Sequence, residues 1–382
     1  MKASIPFFTL FDQFVYSSSN WALLLLLAAQ LPAKEFGQFA LTTAVWFGAA
    51  AFARSLVNES TAVTTSNSAA PSTRLILQTT SLSIPVFIVT GVLLVRYTEV
   101  TDYWFTLLAV ALGPIVICHE LLRSRYLLLC DPRKALLVNF LWLLLLVLGF
   151  AIGSPIATLA VWTLGLAAAV SLYGLSVSTS EVDRLPDEIA SYAFDAIALR
   201  ALPVISLTVF GLLGSVEEVG TFRLSQTFLA PLYLSLGALF TLSLRSLKDG
   251  MPKGFRIPPL LLAGFVFVFV CYGGILVVAL KYGTDIGFIQ NFTLRDGALG
   301  VVYVLLGRNA VTLAAMESKL FLKMGNKTSS VASWELIGGL FALAGVAFFA
   351  RSSQGLAVSL LFGTAVTSMG VMAFRLKGRY AH

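Results

Sequence analysis

The sequence predicts an all-α integral membrane protein, with twelve transmembrane helices forming two parallel six-helix bundles around a central cavity. Composition is the first reason. The 382 residues are 58% hydrophobic and 12% charged, with a mean hydropathy of +0.87. An ordinary soluble domain carries about twice that share of charge, so a soluble enzyme and a disordered chain are both excluded. The second reason is a series of apolar runs near the roughly 20 residues needed to cross a bilayer. The third is the side-to-side distribution of Lys and Arg.

The first half gives spans at Phe14–Leu31, Phe39–Ala53, Leu75–Val95, Trp104–Leu122, Ala135–Ile152 and Pro155–Leu175. Asp12 interrupts the first apolar stretch, so this span is expected to be retained rather than cleaved as a signal peptide. Only a short turn containing Gly153 and Pro155 divides the fifth span from the sixth. A hydrophilic stretch from Ser176 to Tyr192 follows, with Glu181, Asp183, Asp187 and Glu188. It reads as a solvated hinge. The domain expectation is a bundle over 1–180, a cytoplasmic linker over 181–192 and a second bundle over 193–382. Spans in the second half run Ala193–Leu213, Val219–Leu244, Ile257–Leu280, Ala298–Lys319, Val331–Ala350 and Leu356–Phe374.

With the N-terminus in the cytoplasm, eighteen of the 26 Lys and Arg residues fall on the inner side, Arg54, Arg123 and Arg125 among them. Five fall outside (Lys34, Arg96, Lys281, Arg295 and Arg351), and Arg200, Arg223 and Arg308 lie within spans. That asymmetry is the positive-inside pattern, and it places both termini in the cytoplasm. The formal charge of +7 is read as topology and as attraction to anionic lipid or substrate. With no soluble basic domain, no nucleic-acid partner is expected.

The halves repeat. Glu35-Phe36-Gly37-Gln38-Phe39-Ala40-Leu41 and Glu218-Val219-Gly220-Thr221-Phe222-Arg223-Leu224 share the pattern E-x-G-x-F-x-L, 183 residues apart. The same offset carries Phe11-Asp12 onto Phe194-Asp195. An even number of spans per copy makes the copies parallel, the arrangement of transporters that rock two bundles about a central site.

A charge in hydrocarbon costs a few kcal/mol even on lenient scales (about 3 kcal/mol at a helix centre). Asp12, Asp195, Arg200, Arg223 and Arg308 therefore each need a partner or a wet cavity. Asp12 and Asp195 sit at the cytoplasmic entry of the first span of each half. Either they are interfacial carboxylates favoured by the helix dipole, or they face a cavity. Arg200 lies about one turn beyond Asp195 and is expected either to pair with it or to meet substrate. Arg223, with Gln226 on the same helix face, and Arg308, beside Asn309, carry the planar fork suited to phosphate. Gln13, Ser17 and Asn20 form a polar stripe that either lines a cavity or joins helices. Arg54 reads as a topology anchor. The Gly338-Gly339 pair and Gly345 favour close helix packing. Cys118, Cys130 and Cys271 have no metal or redox spacing and read as small buried apolar residues. His119 and His382 are too far apart for a metal site. No catalytic group, metal or cofactor is expected, and no nucleotide-binding pattern is present.

Several of these segments resemble bacterial oligosaccharide flippases, the polysaccharide-biosynthesis membrane proteins of the multidrug/oligosaccharidyl-lipid/polysaccharide exporter superfamily. In the first half they are Phe11-Asp12-Gln13, Ser18-Ser19-Asn20-Trp21, Glu35 to Phe39 and Arg54-Ser55-Leu56. In the second half Glu218-Val219-Gly220, Arg223 and Gln226-Thr227 resemble the start of that family's second bundle. The resemblance covers roughly the first sixty residues and residues 215–245. It implies a V-shaped pair of bundles that passes a polyprenyl-diphosphate-linked oligosaccharide from the inner to the outer leaflet of the bacterial cytoplasmic membrane. Asp12, Gln13, Asn20, Asp195, Arg200, Arg223 and Gln226 would then lie near the cavity, with Asp12 or Asp195 as ion-coupling carboxylate. Partners would be the lipid-linked oligosaccharide, membrane lipid, and a polysaccharide polymerase or glycosyltransferases. The chain lacks the two extra spans of some lipid-II flippases, which leaves the cargo open. A cation-coupled drug or small-solute exporter of the same architecture is the alternative. A membrane polymerase or ligase is disfavoured, because the outer connections are too short to hold catalytic residues.

Overall fold

The computed structural model describes residues 4–59, 70–97, 103–128, 132–174, 181–182, 193, 197, 202–232, 259–282, 295–324 and 328–380. The chain divides into two compact units, Met1–Val204 and Ile205–His382. Eight of the described helices are long and apolar enough to cross a membrane. Such helices satisfy their backbone polar groups internally, which hydrocarbon demands. Side chains like Leu82 (78% exposed) and Phe349 (81%) point outward, the inverse of a soluble protein.

The described helices of the first unit follow one another along the chain. They are α1 (Ser4–Gln30), α2 (Ala33–Arg54), α3 (Thr73–Tyr97), the broken span α4 (Tyr103–Ala111) with α5 (Gly113–Leu128), α6 (Pro132–Ala151) and α7 (Pro155–Gly174). All but α1 are among the eight candidate spans. Pro32 starts α2, and a π-helical turn, Ser55–Glu59, ends it. The fourth span breaks at Leu112, whose N–H is shared between the carbonyls of Leu108 and Ala109. Pro114, with no N–H to donate, enforces the break. Between α6 and α7 the chain reverses through Gly153 at φ +75°, a conformation that favours glycine.

Buried tryptophans lock the interior. Trp46 of α2 stacks on Trp162 of α7 at 5.6 Å between centroids. Trp142 of α6 donates to the Trp162 carbonyl at 3.0 Å. A two-residue strand, Ala70–Pro71, pairs in parallel with Glu181–Val182, tying the connection after α2 to the start of the mid-chain segment. The rest of the expected linker lies outside the described residues.

The second unit holds α8 (Leu202–Leu213, which begins at the unit boundary), α9 (Val216–Phe228), α10 (Pro259–Tyr282), α11 (Arg295–Met324), α12 (Thr328–Phe349) and α13 (Ser353–Tyr380). Ser215 caps α9 by accepting from the Glu217 N–H, and Glu217 and Glu218 occupy its first turn, where the helix dipole favours them. The Glu218 carboxylate also accepts from the Ser353 N–H at 2.6 Å, joining the start of α9 to the start of α13. Gly338 of α12 and Gly363 of α13 meet backbone to backbone, and the indole of Trp334 covers Gly370. These contacts fit the close packing expected at Gly338.

The 183-residue repeat is visible at element boundaries. Helices α1 and α8 end at Gln30 and Leu213, and α2 and α9 begin at Ala33 and Val216. Toward the C-terminus the offset grows: α6 and α12 begin at Pro132 and Thr328, and α7 and α13 at Pro155 and Ser353. The connection between α10 and α11 and the length of α11 absorb the difference.

One expectation is corrected here. The fourth span was expected to end at Leu122, leaving Arg123 and Arg125 in a cytoplasmic connection. Instead α5 continues to Leu128, and Arg123 and Arg125 are among the most deeply buried large side chains. Each has a polar partner there. Arg125 donates to Thr73 Oγ1 at 2.7 Å, and Arg123 joins the cluster described next.

Candidate functional site

Four helices of the first unit converge on Arg123. From α1, Asp12 Oδ2 accepts from Arg123 Nη2 at 2.6 Å and from Nε at 3.0 Å. Gln13 Oε1 accepts from Nη2 at 2.9 Å. From α5 itself, Glu120 Oε2 lies 3.4 Å from Nη1, one turn back on the helix face. Arg54, at the end of α2, closes the set at 2.7 Å from Glu120 Oε1. Asn139 of α6 donates to Asp12 Oδ1 at 2.6 Å. The guanidinium carbon of Arg123 sits 4.0 Å from the centroid of the Tyr16 ring.

Asp12 and Arg123 are 0% and 1% exposed. Desolvating two such charges is offset only when geometry is close and the remaining lone pairs are satisfied. Both conditions hold here. Two arginines face two carboxylates, so the cluster is neutral overall. Beside it, His119 packs against Trp142 at 4.9 Å and Tyr173 at 5.7 Å, and Tyr173 donates to the Ala135 carbonyl at 3.2 Å. His119 is thus part of an aromatic core between α1, α5, α6 and α7.

Of the expected first-half residues, Asp12 and Gln13 enter this cluster directly. Gln13 also donates to Ser17 at 3.3 Å, and Asn20 follows on α1 one turn beyond Tyr16, half-buried. Arg54 does more than mark topology, because it neutralises Glu120. Arg123, Glu120 and Asn139 were missed as partners for Asp12. The available signal was Glu120 and Arg123 at i,i+3 in an otherwise apolar helix, together with the need of Asp12 for a cation.

In the second unit the polar groups are separate contacts. Arg223 donates to Gln226 at 2.8 Å along α9. Arg308, midway along α11, donates through Nε to Thr364 of α13 at 3.0 Å. Beside it Asn309 is buried. Lys319 of α11 pairs with Glu335 of α12 at 3.0 Å. Arg375 of α13 pairs with Glu317 of α11 at 3.0 Å. Asp195 and Arg200 lie outside the described residues, as does Cys130. Cys118 is buried, whereas Cys271 is exposed.

The contrast among these cations is chemical. Arg54, Arg123, Lys319 and Arg375 each face a carboxylate. Among the described residues the Arg308 side chain has one hydrogen-bond partner, a neutral hydroxyl, and no ion pair. It is half-buried, at a depth where an uncompensated charge is costly.

No protein-family model matches the sequence, and no curated protein matches it. Solved structures do resemble it in fold. An inward-facing conformation of a multidrug resistance MATE family transporter of the MOP superfamily superposes with a TM-score of 0.60 at 13% identity, covering 97% of this chain and 95% of that one. A MOP superfamily transporter from Pyrococcus furiosus, described as having a binding pocket of reversed polarity that suggests a different function, gives 0.59 at 10% identity over 98% and 94%. An outward-facing MATE family transporter gives 0.57 at 10% identity over 99% and 95%. The chain is therefore a multi-pass helical membrane protein with the fold of the MOP superfamily transporters.

Proposed function

We propose that the protein is a flippase that moves a polyprenyl-diphosphate-linked oligosaccharide from the inner to the outer leaflet of the bacterial cytoplasmic membrane by alternating access. Arg308 carries this reading. A mid-membrane guanidinium anchored by a neutral hydroxyl keeps its charge for a ligand, and a diphosphate accepts bidentate hydrogen bonds from such a fork. Arg223, oriented by Gln226, is proposed as a second phosphate contact. A sugar-diphosphate head cannot cross hydrocarbon unaided, so the protein would shelter the head while the lipid chain stays in the bilayer. Glycosyltransferases or a polysaccharide polymerase would make or use the cargo.

Coupling is proposed to run through Asp12, with Asp195 as its counterpart in the repeat. A cation or proton at Asp12 competes with Arg123. Its arrival would loosen α1 from α5 and α6, a local change that can bias a two-state element.

Cation-coupled drug export is the second reading, supported by the multidrug transporters that share the fold. Against it, the buried carboxylates Asp12 and Glu120 are each neutralised by arginine, leaving their charge unavailable to a cationic drug.

The test is lipid translocation in proteoliposomes with a fluorescent polyprenyl-diphosphate oligosaccharide. A charge-assisted contact is worth about 1.5–3 kcal/mol. Arg308→Ala should therefore slow translocation by roughly 10- to 100-fold, with partial recovery in Arg308→Lys. Equal rates for the wild type and Arg308→Ala would remove the anion-binding role.

A further inference from the structure

On the membrane-facing side of the first unit, α3, α4 and the start of α5 enclose an apolar groove of about 870 Å³. Ile88, Val92 and Val95 of α3 form one wall, Leu107 and Ala111 of α4 the other, and Arg96 stands at one end. The floor is rigid. Gly91 lies against Val110, and Gly113 lies under the Phe87 ring so closely that a Cβ there would collide with it. The break at Leu112, where Pro114 has no N–H to donate, lies beside the groove, which Pro114 also lines. Its walls are apolar and at membrane depth, so bilayer lipid is the solvent that fills it.

The end of the groove sets the chemistry of the occupant. Arg96 is exposed and lies in the last turn of α3. Helix α3 ends at Tyr97 and α4 begins at Tyr103-Trp104, the aromatic composition of a membrane–water interface. The guanidinium therefore sits at headgroup depth, above a trough for a hydrocarbon chain. From Ile84 to Arg96 the groove follows twelve helical steps, about 18 Å at 1.5 Å per residue. That is close to one leaflet of a roughly 30 Å hydrocarbon core, the reach of a phospholipid chain rather than of a longer isoprenoid.

We propose that this groove is a binding site for one anionic phospholipid of the bilayer, its chain along α3 and its phosphate on Arg96. The site is independent of the cargo and stands whether or not the flippase reading holds.

Native mass spectrometry of the full-length protein, released from nanodiscs of equimolar phosphatidylethanolamine and phosphatidylglycerol, tests it. One basic residue near a membrane surface favours an anionic lipid by an amount equivalent to about five-fold. The wild type should retain one phosphatidylglycerol with about that preference. Arg96→Gln should abolish the preference, and Val92→Trp, which fills the trough from an exposed position, should remove the retained lipid. Equal retention of both lipids by the wild type would overturn the proposal, as would unchanged retention in both variants. Displacement of the phospholipid by equimolar polyprenyl phosphate would also overturn it, assigning the groove to an isoprenoid lipid.

Discussion

At Asp12 the molecule places a carboxylate where hydrocarbon would otherwise surround it, and both of its oxygens accept hydrogen bonds. Arg123 supplies two donors and Asn139 a third. Removing one member leaves the buried cluster with one uncompensated charge. Asp12→Ala or Arg123→Ala should each cost about 3–5 kcal/mol, read as a fall in the midpoint of thermal unfolding of the purified protein. An apolar pair, Asp12→Leu with Arg123→Met, should recover much of that loss, because it removes both desolvated charges together. A double variant as unstable as the sum of the singles would show that the pair itself does not hold the helices. Arg54→Gln should cost less, since Glu120, the charge it leaves, still has Arg123 at 3.4 Å. The need of Asp12 for a partner was legible in the sequence, but the partner was not. Arg123, Arg125, Arg133 and Lys134 fall close together, and such a run has the composition of a cytoplasmic connection. Only packing reveals that α5 carries the first two into the interior.

Helix contacts follow a different logic, in which small residues decide how closely backbones approach. Gly338 and Gly363 leave no room for a Cβ on either side. Gly363→Ala should force α12 and α13 apart and destabilise the protein by about 1–3 kcal/mol, measured by the same thermal unfolding. By contrast, a Cβ at Gly153 meets nothing within 4 Å. Gly153→Ala should cost about 1 kcal/mol, the penalty of its positive φ alone. The sequence marked Gly338 as a packing position because two glycines adjoin in an apolar helix. It did not mark Gly363 as the opposing residue, since which helices adjoin is a tertiary fact. The repeat was legible where it is strict, at the α1–α2 and α8–α9 boundaries. Its later drift was hidden, because spacing in the α10–α11 connection is free to vary between copies.

Across the whole chain, the apolar runs and the excess of cations on one side were enough to read the multi-pass helical class. Burial of Arg123 and Arg125 concerns their packing and leaves the sequence asymmetry as it was. Reporter fusions at each end should therefore place both termini in the cytoplasm, and termini on opposite sides would contradict an even number of spans. The functional reading was less legible, because Arg308 looked like one of several intramembrane arginines. Like Arg125, which meets Thr73, it touches a hydroxyl, where Arg54, Arg123, Lys319 and Arg375 meet carboxylates; unlike Arg125 it stands midway along its helix, α11. The most direct test of that distinction is the leaflet location of the lipid-linked oligosaccharide in cells lacking this protein. The cargo should accumulate on the inner leaflet, reach the outer leaflet when the wild type is restored, and remain inside when Arg308→Ala is supplied at equal abundance. Normal outer-leaflet delivery without the protein, or full rescue by Arg308→Ala, would contradict the account.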